Sequence, residues 1–166
     1  MQGKATFKGH PVHPMLVPFP IAFWVGSLIA DILHFVTGAA VWTQMGTGLI
    51  AAGIIGALLA AIAGFVDYTT APMDVKTKRT ATRHLTLNLI IVTVYAVNLY
   101  LRWRVPEIPA GYVVSVLAVL ALMYSGWLGG DLVYDHKVGV EEPADKERRR
   151  SERRRRGVPA SSPTRR

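Results

Sequence analysis

Thr47 to Val66 reads TGLIAAGIIGALLAAIAGFV: twenty consecutive residues without a charge, half of them Gly or Ala. A helix of that length rises about 30 Å, the thickness of a bilayer's hydrocarbon core. In lipid a lone segment can satisfy its backbone N–H and C=O groups only as a helix, so this stretch is read as a membrane-crossing helix. Gly48, Ala52, Gly56, Ala60 and Gly64 recur at every fourth position within it. Such a stripe of small residues predicts a face on which neighbouring backbones approach closely.

Outward from it lie three further apolar runs, Met15–Val36, Leu85–Leu101 and Tyr112–Tyr134. Leu85–Leu101 has 17 residues and is marginal for crossing. The predicted architecture is all-α: an integral-membrane four-helix bundle (about 15–36, 47–66, 85–101 and 112–134) occupying residues 15–136. An extended, Pro-rich arm (1–14) precedes it and a disordered, Arg-rich tail (137–166) follows. The prolines at 11, 14, 18 and 20 interrupt the region where a cleavable signal would hold its apolar core, so the first helix is expected to be retained.

The 166 residues are 51% hydrophobic with a mean hydropathy of +0.28, although the last thirty are almost wholly polar. The bundle itself is therefore more apolar than the average. Cysteine is absent, which removes disulfides, iron–sulfur clusters and thiolate chemistry together. Nucleotide loops, serine triads and zinc-protease helices are not recognisable either.

Charge sets the orientation. The 67–84 connection carries Lys76, Lys78, Arg79 and Arg83 against Asp67 and Asp74, the arm adds Lys4 and Lys8, and residues 137–166 carry net +6. The other side has only the uncharged turn near Thr37–Gly46 and the Arg102–Gly111 loop, with two Arg and one Glu. Lys and Arg accumulate on the untranslocated side, which predicts an integral membrane protein with both termini and the histidine face cytoplasmic. Trp42, Trp103 and Tyr112 at outer edges, and Tyr68, Trp127 and Tyr134 at inner ones, suit interfacial rings.

Four crossings also gather histidines. His10 and His13 precede the first run, His84 opens the third and His136 follows the fourth, so all four fall on the cytoplasmic side; His34 alone lies opposite. His10 and His13 each precede a proline, which favours an extended arm, with one imidazole reaching inward and the other lying nearer the headgroups. Regular helix is expected from about Phe19. Gly126, Gly129 and Gly130 clear backbone for the close approach of a helix or a flat ligand. Asp67 and Asp131 are candidate acceptors fixing an imidazole's tautomer.

Without thiolates, imidazole and carboxylate remain as ligands for a transition metal. Two readings stay open. One is haem b held by two of these histidines, with Gly129 and Gly130 beside the macrocycle. The other is a mononuclear metal bound by His13 (or His10), His84, His136 and an Asp. At the outer end, Asp31 and His34 share a helix face and read as a local pair, or as the proton or ligand site of a small-solute carrier. Asn88 and Asn98 are read as interhelical hydrogen-bonding groups.

The opening Gly9-His10-Pro11-Val12-His13-Pro14-Met15-Leu16-Val17-Pro18-Phe19-Pro20 and the closing Gly129-Gly130-Asp131-Leu132-Val133-Tyr134-Asp135-His136, with Val138-Gly139-Val140, carry a resemblance. So do Asp31, Gly64-x-x-Asp67-Tyr68, Arg83-His84 and Asn88. Together they resemble a bacterial family of four-helix membrane proteins, domain of unknown function 2231, over residues 9 to about 140. The resemblance implies a fold and a membrane address without an activity. The arginine tail departs from it. Arg148–Arg156 is expected to lie against anionic lipid headgroups. No aromatic residue accompanies that block, so nucleic acid is an unlikely partner.

The leading functional expectation is a redox membrane protein binding haem b or a metal ion and passing electrons to a membrane partner, not a stand-alone enzyme. The alternative is a non-catalytic membrane subunit or scaffold without a cofactor.

Overall fold

The computed structural model describes residues 3–8, 10–140, 147, 151, 152 and 155. The chain runs β1 (Thr6–Phe7), β2 (His10–Pro11), α1 (Val12–Leu16), α2 (Pro18–Thr37), α3 (Ala40–Thr70), α4 (Val75–Arg104) and α5 (Pro109–Tyr134). Four spans, Val12–Thr37 and α3 to α5, are long and apolar enough to cross a membrane. They form an antiparallel up-down bundle in which α2 packs on α3 and α4 on α5, and the two pairs face each other. The all-α four-helix membrane bundle is thus the fold.

The arm departs from expectation. It is extended only to Pro11, where β1 and β2 pair antiparallel, and His13-Pro14 is already helical. Pro14 stands in the first turn of α1, where its missing N–H would have had no intrahelical partner, so it fits there. A break at Val17 separates α1 from α2, and Pro18 opens α2 for the same reason. Of the tail beyond Val140, only Glu147, Ser151, Glu152 and Arg155 are described, each with helical backbone; the disorder expected elsewhere from Glu141 onward, and the Arg148–Arg156 block apart from these positions, lie outside the described residues.

Helices α3 and α4 also outrun their apolar stretches, with 31 and 30 residues. At α4 the Asp74 carboxylate accepts from the Thr77 N–H at 2.7 Å, an N-cap ten residues before the apolar run.

The small-residue stripe on α3 is a close-packing face only in part: Gly56 lies against Pro20, Ala60 is buried and Gly64 meets His13. Each four-residue step overshoots a full turn by about 40°, so the row winds round the helix. Gly48 ends in open space, whereas the buried row is Thr43, Gly46, Ile50, Gly53, Ala60 and Ala63. Its spacing of three and four is that of close antiparallel packing against α2. Gly53 gives room to the Trp24 indole, which a Cβ there would overlap. Trp24 in turn stacks on Tyr95 at 4.3 Å between centroids, and Ile50, Ile91, Ala118 and Leu122 complete the mid-membrane core.

Candidate functional site

Two polar clusters lie on either side of that core. At the end holding the chain's N-terminal residues, His13 of α1 and His84 of α4 meet edge to face, with ring centroids 6.3 Å apart and planes at 86°. His13 Nδ1 donates to the Ala60 carbonyl at 2.8 Å, and His84 Nδ1 to the Ser125 carbonyl at 3.0 Å. A carbonyl oxygen only accepts, so both protons sit on Nδ1. Each neutral ring therefore keeps its lone pair on Nε2.

One local device is used twice. The carbonyl of residue i in a helix is flanked by the side chain of residue i+4. His13 reaches Ala60 because residue 64 is Gly; a Cβ there would stand 2.9 Å from His13 Nδ1. His84 reaches Ser125 because residue 129 is Gly; a Cβ there would stand 3.3 Å from its Cε1. Gly129 seats an imidazole directly, while Gly126 faces open space and Gly130 meets little but Tyr134.

Asn88 adds a third partner. Its Nδ2 lies 2.7 Å from Ser125 Oγ, 2.8 Å from the His84 carbonyl and 3.2 Å from His84 Nε2. Two N–H groups face three acceptors. His84 Nε2 can thus be given up without orphaning a donor.

Both imidazoles line a cavity of about 220 Å³ that runs from Gly3 and Val138 at its mouth to Trp24 and Leu122 at mid-depth. Its mouth is partly covered by the N-terminal hairpin. Asp67 Oδ1 accepts from the Ala5 N–H at 3.0 Å, and Thr70 Oγ1 from the Lys4 N–H at 2.9 Å. Pro11 lies against Gly139, whose φ of +79° suits glycine alone.

The remaining candidates separate from this pair. His10 is exposed on β2. His136 Nδ1 pairs with Thr77 Oγ1 at 2.9 Å, outside the cavity lining. The set of His13, His84 and His136 therefore does not assemble, and among the described residues no three His, Asp or Glu side chains converge to hold a metal ion. Asp67 and Asp131 do not orient the imidazoles, because main-chain carbonyls already do. Asp67 pins the hairpin, and Asp131 offers its carbonyl to the N–H groups of Asp135 and His136.

The opposite end corrects the local Asp31–His34 pair. Asp31 instead receives a bidentate Arg102 fork, 2.6 Å at each oxygen, and both residues are fully buried. Asn98 Oδ1, Ser115 Oγ and the Gly111 carbonyl accept the remaining Arg102 contacts, and Asn98 Nδ2 bridges to Gly111 and Ser115. His34 turns away to the Ala39 carbonyl at 3.2 Å and stacks on Tyr112. Reading Arg102 as loop hid this pair. The visible signal was its depth: one residue past the third run, level with Asp31 at the end of the first.

A sequence model of the family described as Predicted membrane protein (DUF2231) matches residues 9–142. That is most of the chain, which belongs to this family. No curated protein and no solved structure matches it.

Proposed function

We propose that this member of the DUF2231 membrane-protein family is a one-electron carrier of the bacterial inner membrane that holds haem b between His13 and His84, with both termini cytoplasmic. The observation that carries the reading is the paired imidazoles, each with Nδ1–H on a main-chain carbonyl and Nε2 left as the donor atom. That arrangement fixes the tautomer and raises ligand basicity, as partners of metal-bound histidines do. Haem b, when bound, supplies reversible one-electron transfer. The protein's part is to present two neutral imidazoles from different helices and to keep water out with apolar walls. Gly64 and Gly129 hold the rings on their helices, and Asn88 can release His84 Nε2 while keeping two acceptors. A bare transition metal is the weaker candidate, since among the described residues no third His, Asp or Glu joins the pair. The basic loops support the orientation, and the tail arginines are assigned to anionic headgroups.

The test is an absorption spectrum of detergent-purified protein expressed with adequate haem. A Soret band is expected in the wild type and in His10→Ala and His136→Ala, and its loss in His13→Ala and His84→Ala. A wild type with no Soret band removes the haem reading. The scaffold alternative is favoured by the hydrogen bonds that already tie each ring to a neighbouring helix. Under it, His13→Gln and His84→Gln keep partner binding intact and bound metal at zero.

A further inference from the structure

The feature that the haem reading leaves unused is the overhang of α4. Thirty residues make a helix about 45 Å long, against about 30 Å of hydrocarbon. Trp103, flanked by Arg102 and Arg104, marks the boundary at the far end, so most of the excess stands beyond the histidine end. Measured from Leu85, where the apolar run begins, Arg83 lies about 3 Å out, Arg79 about 9 Å and Lys76 about 13 Å. The headgroup layer is only about 5–7 Å thick on each side. Arg83 is thus among headgroups, while Arg79 and Lys76 stand in water above them.

These three residues follow at i, i+3 and i+7, so they form one stripe, and all three are exposed. Among the described residues none of the three is in an ion pair, although the Asp74 carboxylate is close enough to feel the charge of Lys76. Asp67 is engaged with Ala5 and Asp74 with Thr77, and the ion pairs found among the described residues, Asp31–Arg102 and His34–Glu107, are both at the other end. Lys78 is not part of the stripe, because its ammonium lies over the Tyr68 ring and donates to the Tyr68 carbonyl. The opposite face of the same turns carries buried Thr77 and Ala81, and Ala81 lines the histidine cavity. One helix, about 10 Å across, separates the charge stripe from the cavity.

We infer that Lys76, Arg79 and Arg83 form the docking surface for an acidic soluble protein, which exchanges electrons with the group held by His13 and His84. The inference rests on the proposed function for the electron exchange, but the docking itself does not require haem. Two of the three charges stand above the headgroups, which favours a protein over lipid as their partner. Exposed charge of one sign at such a mouth accelerates encounter and makes binding sensitive to salt.

The experiment places the full chain in nanodiscs of zwitterionic lipid and measures binding of two acidic one-electron carriers, a flavodoxin and a plant-type ferredoxin, by interferometry. Haem content is recorded separately, so absence of haem and absence of docking are read independently. At least one probe should bind, weaken about tenfold or more between about 50 and 500 mM salt, and weaken about tenfold in Lys76→Glu/Arg79→Glu/Arg83→Glu. Lys137→Glu, off the stripe, should change binding less than about twofold. Unchanged helical circular dichroism of the triple variant guards against misfolding; Lys76→Gln/Arg79→Gln replaces it should folding fail. Binding of neither probe, or binding indifferent to charge reversal, overturns the proposal. So does a triple variant whose only defect is lower retention of anionic lipid, since the stripe would then be a headgroup site.

Discussion

The two ends of the bundle solve the problem of polar groups in a membrane in opposite ways. At the Asp31 end, the buried charges are answered by a bidentate pair, two oxygen acceptors from Ser115 and Gly111, and Asn98 tying α4 to α5, although the buried Tyr112 hydroxyl is left without a partner. At the histidine end two imidazoles stand over a cavity, each held through Nδ1 on a main-chain carbonyl and each with its second nitrogen free or loosely engaged. Closed satisfaction serves assembly, whereas a polar pair beside empty space is the arrangement a ligand needs. The comparison predicts that substitutions at the first end change stability, and those at the second change occupancy.

The largest effect should come from Arg102→Leu. It strands the Asp31 carboxylate in the bundle, which costs about 3–5 kcal/mol when one partner of a buried pair is removed. Asp31→Leu/Arg102→Leu should recover most of that loss. Reversible unfolding in mixed micelles measures both. If the single and double variants are equally destabilised, the pair is not the lock this contrast makes it.

Next come the glycines of α3. Gly53→Ala drives a methyl group into the Trp24 indole and should cost about 1–3 kcal/mol, while Gly48→Ala, facing open space, should be neutral or stabilise by up to about 1 kcal/mol. Gly64→Ala sharpens the contrast between the ends. Its Cβ displaces His13 from the Ala60 carbonyl, so stability should fall by no more than about 1.5 kcal/mol, the range of one hydrogen bond. Soret absorbance should nevertheless be lost. A Gly64→Ala protein with a normal spectrum would show that the seat on Ala60 does not matter to the ligand.

The same contrast explains what the sequence disclosed. The four crossings were legible because apolar length is nearly all that lipid demands of a helix, and Asn88 and Asn98 were legible as interhelical donors for a similar reason. The convergence of His13 and His84 also followed from an even number of crossings. His136 shows the limit of that logic: sharing a membrane face brings groups to one plane but not to one place within it. Arg102 escaped because a charge just past an apolar run reads as loop, and only a partner on another helix makes it interior. The Gly64 and Gly129 seats could have been found four residues after the carbonyls they uncover, but which carbonyl a histidine would choose depends on helix rotation, which a 3.6-residue period leaves open. The overhang of α4 was hidden because its first ten residues are mostly polar, and its helical state rests on the Asp74 cap and on the burial of Thr77 and Ala81 within the bundle.

That cap supplies the smallest effect and the finest test. The Asp74 carboxylate is held below its usual range first by its hydrogen bonds with Thr77, with smaller help from the positive charge of His136 and Lys76. A depressed carboxylate pKa means that the cap's contribution is fully present above the unfolded value of 3.8 and is lost as pH falls through the lower folded value. Amide exchange at Thr77 and Lys78 should therefore lose protection only below about pH 4, and Asp74→Ala should abolish that pH dependence at once. The group is fully exposed, so global stability should hardly respond. What should change is fraying of the turn that begins the Lys76–Arg79–Arg83 stripe, and with it the docking of acidic probes. If Asp74→Ala leaves exchange at Thr77 unchanged, the overhang is held by its contacts with α3 and with His136 beyond α5 rather than by the cap, and the histidine end is more rigid than its contrast with the Asp31 end implies.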